Sequence, residues 1–224
     1  MQKKPFGVSR AHRFALVTLL LTLGGAILVL AKDFSRPHAN PARTYPAHDE
    51  HKDEAVTIAA DPYDMPDKAQ IFVTNYAAND LMPIFLVITN DGSDPVSLSD
   101  LKAELVTVNR SKIPASDQDD ILRRLSHPSA SATPKYPLPI PRGKVKPSVN
   151  QKTRDEVVSA EFNARAVEPH STQSGFLFFD IEGLNNPLAG AHLYLTGLRN
   201  AKGDELMYFE IPMEKYLSAP PKPQ

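Results

Sequence analysis

Residues 14–31 read FALVTLLLTLGGAILVLA, without a single charge, and Lys3, Lys4, Arg10 and Arg13 precede them. As a helix the run measures roughly 27 Å, close to the ~30 Å hydrocarbon core of a bilayer. No later stretch is comparable. The run therefore predicts a basic cytoplasmic amino terminus over residues 1–13 and a transmembrane signal-anchor over 14–31. Cations before the helix stay in the cytoplasm, so the rest of the chain is expected to be periplasmic or extracellular. Two fates are open. The helix can stay as an anchor, or the chain can be secreted after signal cleavage near Ala31, where Val29-Leu30-Ala31 is a tolerable site.

The remainder of the 224 residues is enough for one domain with a real core. The chain has no Cys, so disulfides, thiolate metal sites and Cys nucleophiles are excluded. It has 21 Pro against 10 Gly, which argues against long helices in the body. Net charge is −1 overall. Residues 55–217 carry more acid than base, and within them Lys135, Arg142, Lys144, Lys146, Lys152 and Arg154 form a basic stretch without an acid. An acidic body with one basic loop gives no support to nucleic-acid binding. That loop is the one place read as a contact for a polyanion, an acidic lipid or polymer.

Residues 32–54 are polar, contain Pro37, Pro41 and Pro46, and read as a tether between membrane and domain. The domain is expected over residues 55–217. Residues 81–89 (LMPIFLVIT) are the strongest strand, suited to a sheet interior. Residues 90–93 (NDGS) form a turn. Further strands are expected at 56–58, 96–98, 101–108, 164–167, 175–181, 191–198 and 205–211. A short helix is expected from Asp64 or Asp67 through Phe72. Ser116 is placed as the cap of a helix to Leu125, and Thr153-Arg154-Asp155-Glu156 matches a capping box opening another to Phe162. Residues 126–150 are Pro-rich and read as a long exposed loop, and 218–224 as a flexible tail. Short strands punctuated by turns, without βαβ alternation, predict an immunoglobulin-like antiparallel β-sandwich with two short connecting helices. Phe85, Val87, Phe178 and Leu195 are expected in one core.

No G-x-S-x-G elbow, phosphate loop, H-E-x-x-H or dinucleotide turn occurs, and no catalytic residue, metal site or cofactor is assigned. Weaker groupings have plain explanations. Asp61, Asp64 and Asp67 could serve calcium but suit turns and caps better. His48-Asp49-Glu50-His51 could bind a metal weakly, but it lies in the expected tether, which does not preorganise ligands, so a solvated spacer is the default. His170 reads as a solvated turn residue and His192 as a half-exposed strand residue. Phe176, Phe178, Phe179, Tyr194, Tyr208 and Phe209 read as core before ligand groove. Asn109-Arg110-Ser111 is a single glycosylation sequon.

The stretch MPIFLVITNDGSDPVSLSDLKAEL, from Met82, and VEPHSTQSGFLFF, from Val167, together with the late hairpin, resemble uncharacterised bacterial membrane-anchored or exported β-sandwich proteins. The resemblance implies a sandwich outside the cytoplasm and no particular activity. The expected function is a non-enzymatic extracytoplasmic binding module, tethered by its helix and meeting an envelope protein or polymer. The alternative is an envelope hydrolase or metal-dependent enzyme built on His170, Asp180 and Glu182.

Overall fold

A computed structural model describes residues 33–126 and 149–214. The run 14–31, the tail 218–224 and most of the basic loop lie outside the described residues. Among the described residues no helix is long and apolar enough to cross a membrane.

The described chain is mainly β, with antiparallel sheets and few helices. Its strands are β1 (His48–His51), β2 (Val56–Pro62), β3 (Leu81–Asn90), β4 (Val96–Ser97), β5 (Lys102–Val106), β6 (Lys112–Pro114), β7 (Ala166–Val167), β8 (Ser171–Asp180), β9 (His192–Thr196) and β10 (Phe209–Pro212). The helices are α1 (Pro66–Ala69), α2 (Gln118–Ser126) and α3 (Gln151–Ala160). One sheet has the order β1-β2-β3-β8, a second β10-β9-β5-β6, and β4 pairs with β7. In an immunoglobulin constant domain the second and third strands lie in different sheets. Here β2 and β3 are neighbours in one sheet.

Every residue of β2 and β3 is buried. A strand covered on both faces reads as a continuous apolar run, which is what residues 81–89 show. Alternation along β3 sends Met82, Ile84, Leu86 and Ile88 to one face and Leu81, Phe85 and Val87 to the other. The first set meets Leu105, Leu193, Leu195, Phe209 and Ile211 of the second sheet. The second set joins Phe176 and Phe178 under Ile121 of α2 and Val157 and Ala160 of α3. The single core expected for Phe85, Val87, Phe178 and Leu195 is thus two cores. Leu195 lies across the first sheet from the other three.

The spacer expected over residues 32–54 is also corrected. The compact unit starts at Asp33. Phe34 stacks on Phe72 with centroids 5.4 Å apart. The Arg36 guanidinium donates to three carbonyls, Ser174 O at 2.9 Å, Ser159 O at 2.6 Å and Glu161 O at 3.2 Å. Ala42, Tyr45 and Ala47 are buried. The HDEH stretch is a true strand, paired antiparallel with β2, and acids in and just after it close a seam. Asp49 accepts the Glu210 amide at 2.9 Å and Glu54 the Met207 amide at 3.0 Å, so the β1 edge is joined to the β10 edge. His51 lies between Asp49 and Glu54, its ring 3.9 Å from that of Phe209.

Helix starts differ from the expected caps. Asp117, not Ser116, accepts the Asp120 amide at the start of α2, while the Ser116 amide bonds Phe178 O. In α3 the cap is Asn150, whose side chain accepts from the Thr153 amide. Glu156 is therefore free of the capping box. It is 2% exposed and accepts the amides of Val73 and Thr74. Gly175 lets Phe162 pass close: an added Cβ would lie 2.5 Å from Phe162 Cα. Ser171 opens β8 four residues earlier than expected.

Candidate functional site: an apolar groove at one end of the first sheet

The segment after β2 crosses the end of the first sheet and returns as β3. Lys68 anchors it by pairing with the buried Asp61, donating to Pro62 O at 3.1 Å and lying 5.2 Å from the Tyr63 ring centre. The Tyr63 amide bonds Pro83 O at 2.9 Å. Burial and then the Asp61 charge push the Tyr63 hydroxyl above its ordinary range. Glu156 holds the Val73–Thr74 backbone from behind. Burial and that same carboxylate raise the Tyr76 hydroxyl too.

Two cavities adjoin along this segment. One, of about 410 Å³, is walled chiefly by Tyr63, Pro66, Phe72, Val73, Tyr76 and Pro83. The other, of about 310 Å³, is walled by Leu81, Met82, Ile181, Pro187 and Leu188. Both share Tyr63, Asp64, Ala77 and Pro83. Among the described residues Asp64 is the one charged side chain lining either. Val73 is 42% exposed and Met65 53%, so the rim is apolar as well.

Arg124 lies on the other side of Leu81, in the wall of a neighbouring cavity, and holds the turn that leads into β3. It is 5% exposed, donates to Asn79 O at 3.0 Å and pairs with Glu182 at 2.8 Å, Asp80 at 3.1 Å and Asp180 at 3.6 Å. Burial works against its charge. The three carboxylates outweigh that and raise its pKa. Asp80, with φ 53°, turns the chain into β3, and its carbonyl accepts the Ile181 amide at 2.8 Å. Two buried charged groups thus hold the groove segment at its ends: Glu156 at Val73–Thr74 and Arg124 at Asn79–Asp80. Apolar walls with one carboxylate suit an extended apolar segment of a partner.

The sequence-stated alternative site does not assemble. Asp180 and Glu182 hold Arg124, whereas His170 is an exposed turn residue with φ 51° before the opposite end of β8. Ten residues of strand separate them, roughly 30 Å. Asp61, Asp64 and Asp67 do not converge either: Asp61 pairs with Lys68, and Asp67 lies in the first turn of α1. Among the described residues no group of His, Asp and Glu is arranged to hold a metal ion.

Lys135, Arg142, Lys144 and Lys146 lie outside the described residues. Lys152 and Arg154, assigned to the same loop, belong to α3, where Lys152 pairs with Asp33 at 2.9 Å. Of the aromatic set, Phe176, Phe178, Phe179 and Phe209 are core, but Tyr194 and Tyr208 are not buried. The groove residues Tyr63, Val73 and Leu188 carried no sequence signal beyond scattered apolars among Pro and Asn.

The chain matches no protein-family model and no curated protein sequence.

Proposed function

We propose that this chain is a non-enzymatic binding module, held outside the cytoplasm by residues 14–31, that receives an extended apolar segment of an envelope protein in the groove beside Tyr63. Its domain is immunoglobulin-like in having two facing antiparallel sheets, with a helical layer added outside the first. The observation that carries the reading is the pair of adjoining apolar cavities, along a segment held at its ends by Glu156 and Arg124. Such a surface is costly to leave wet and gives a ligand little to react with.

A photo-crosslinking residue at Val73 in intact cells tests it. The expected outcome is one discrete adduct, absent when the same residue is placed at the exposed Val158. Equal labelling from both positions would remove the groove from the proposal. Topology is tested separately: a reporter fused after Leu217 is active only if it requires an extracytoplasmic site.

A further inference from the structure

We propose that residues 216–223 of the chain itself occupy the groove beside Tyr63, so that a partner must displace them; the inference rests on the reading of that groove as a binding site. The path of the chain carries it. β10 runs antiparallel to β9, with Pro212 opposite His192, and so heads back toward the loop that precedes β9. The Met213 amide bonds Ala191 O at 2.9 Å. Glu214 then lies beside Gly190, its Oε1 3.8 Å from the place a Cβ there would take. Residues 186–189 of the same loop wall the smaller cavity. The described residues thus end, at Glu214, beside the groove wall.

Residues 215–224 read KYLSAPPKPQ. Extended at about 3.1 Å per residue, they reach roughly 30 Å, more than two adjoining cavities of 310 and 410 Å³ require. Their chemistry complements the walls. Tyr216 and Leu217 come first and suit the nearer cavity, between Leu81, Ile181 and Leu188. Pro220, Pro221 and Pro223 follow, and the farther cavity is lined by the rings of Tyr63, Phe72 and Tyr76. Aromatic grooves take Pro-rich segments because the extended form is set before binding, so little entropy is lost. Proline also brings no N–H, and apolar walls offer few acceptors for one.

Charge agrees. Residues 215–224 carry Lys215 and Lys222 and no acid. Asp64, in the wall that the two cavities share, is the carboxylate that Lys222 meets. Attachment adds to the match. A segment on a short connection has an effective concentration near a millimolar, which a free partner has to exceed or outbind.

The test compares the full-length chain with one stopped after Glu214, both in detergent. The probe is a fluorescent peptide of residues 215–224. The stopped chain is expected to bind it saturably, and the full-length chain at least about tenfold more weakly, because the attached copy competes. Changing Tyr216 and Leu217 to Ser in the full-length chain should restore peptide binding to the level of the stopped chain. Asp64→Asn in the stopped chain should weaken binding by a factor that shrinks from low to physiological salt. A photo-crosslinking residue at Val73 of the purified full-length chain is expected to join residues 215–224 of the same molecule. The proposal is overturned if the stopped chain does not bind the peptide, or if both forms bind it equally. It is equally overturned if the crosslink joins two molecules, which would give the groove to a second copy. A discrete adduct at Val73 in intact cells, with no binding of the peptide, would keep the groove and end this inference.

Discussion

Phe176 on β8, an edge strand of the first sheet, and Tyr194 on β9, inside the second, both project toward the outer side of their sheets, and their surroundings differ. Phe176 is fully buried, with Phe72, Tyr63 and Phe85 about its ring at 4.9 to 5.0 Å. Tyr194 meets His192 and Tyr208 on a face with no layer above it among the described residues. Both sheets are made of similar alternating strands. What separates them is the cover: α2, α3 and the segment from Phe34 to Ala47 close the first sheet, and nothing described closes the second. An aromatic side chain is core or open surface according to what is laid over it.

The comparison can be broken by mutation. Phe176→Ala opens a large hole in a packed ring cluster and is expected to cost about 3–5 kcal/mol. Urea melts of the two variants give the contrast, because Tyr194→Ala is expected to cost less than about 1 kcal/mol. Equal losses would mean that Tyr194 is covered after all. Arg36→Ala comes next: it removes a charged donor shared by three carbonyls, and a loss of about 2 kcal/mol is expected from the charge-assisted bonds. No change in the midpoint would show that the segment lies on the sheet without holding it.

The smallest effects come with pH. The Tyr194 hydroxyl is raised to about 12, first because it donates to Glu210 and then by burial. The Glu210 carboxyl is held below its ordinary range by Tyr194 and His192. A raised tyrosine stabilises the fold below pH 10 and loses that contribution as pH climbs toward 12. A depressed carboxylate contributes above its ordinary titration and loses it as pH falls through the lowered value. Ultraviolet titration of Glu210→Gln should show one tyrosine ionising earlier, back toward pH 10. The unchanged curve of the wild type would separate the two side chains.

Much of the first sheet was legible in the sequence. Residues 81–89 announced a strand buried on both faces, and the Asn90-Asp91-Gly92 turn ended it as expected. What could not be read was the second core. The same alternation that identifies a strand hides which partner each face will meet, so Phe85 and Leu195 looked equivalent. The polar segment His48–His51 was misread for a different reason. Its acids suggested solvent, yet Asp49 accepts the Glu210 amide of β10, a role visible only once that edge is beside it. Glu156 shows the same limit: its spacing fits a capping box, but its charge is committed to Val73 and Thr74, 83 and 82 residues away. The groove inherits this blindness because the groups that hold its segment, Glu156 and Arg124, reach it from far along the chain. Tyr194 and Tyr208 were grouped with the core phenylalanines since aromatic alternation does not say which face is covered.

The Phe34–Arg36 attachment has a mechanical meaning. Tension applied to the chain ahead of Asp33 meets the Lys152 ion pair first, then the ring stack on Phe72, then the guanidinium shared by three carbonyls. Only beyond these does the load reach β1 at the sheet edge. The entry to the domain is therefore a clamp that resists peeling, and force arriving there is spread over α3 and β8 before any strand begins to unzip.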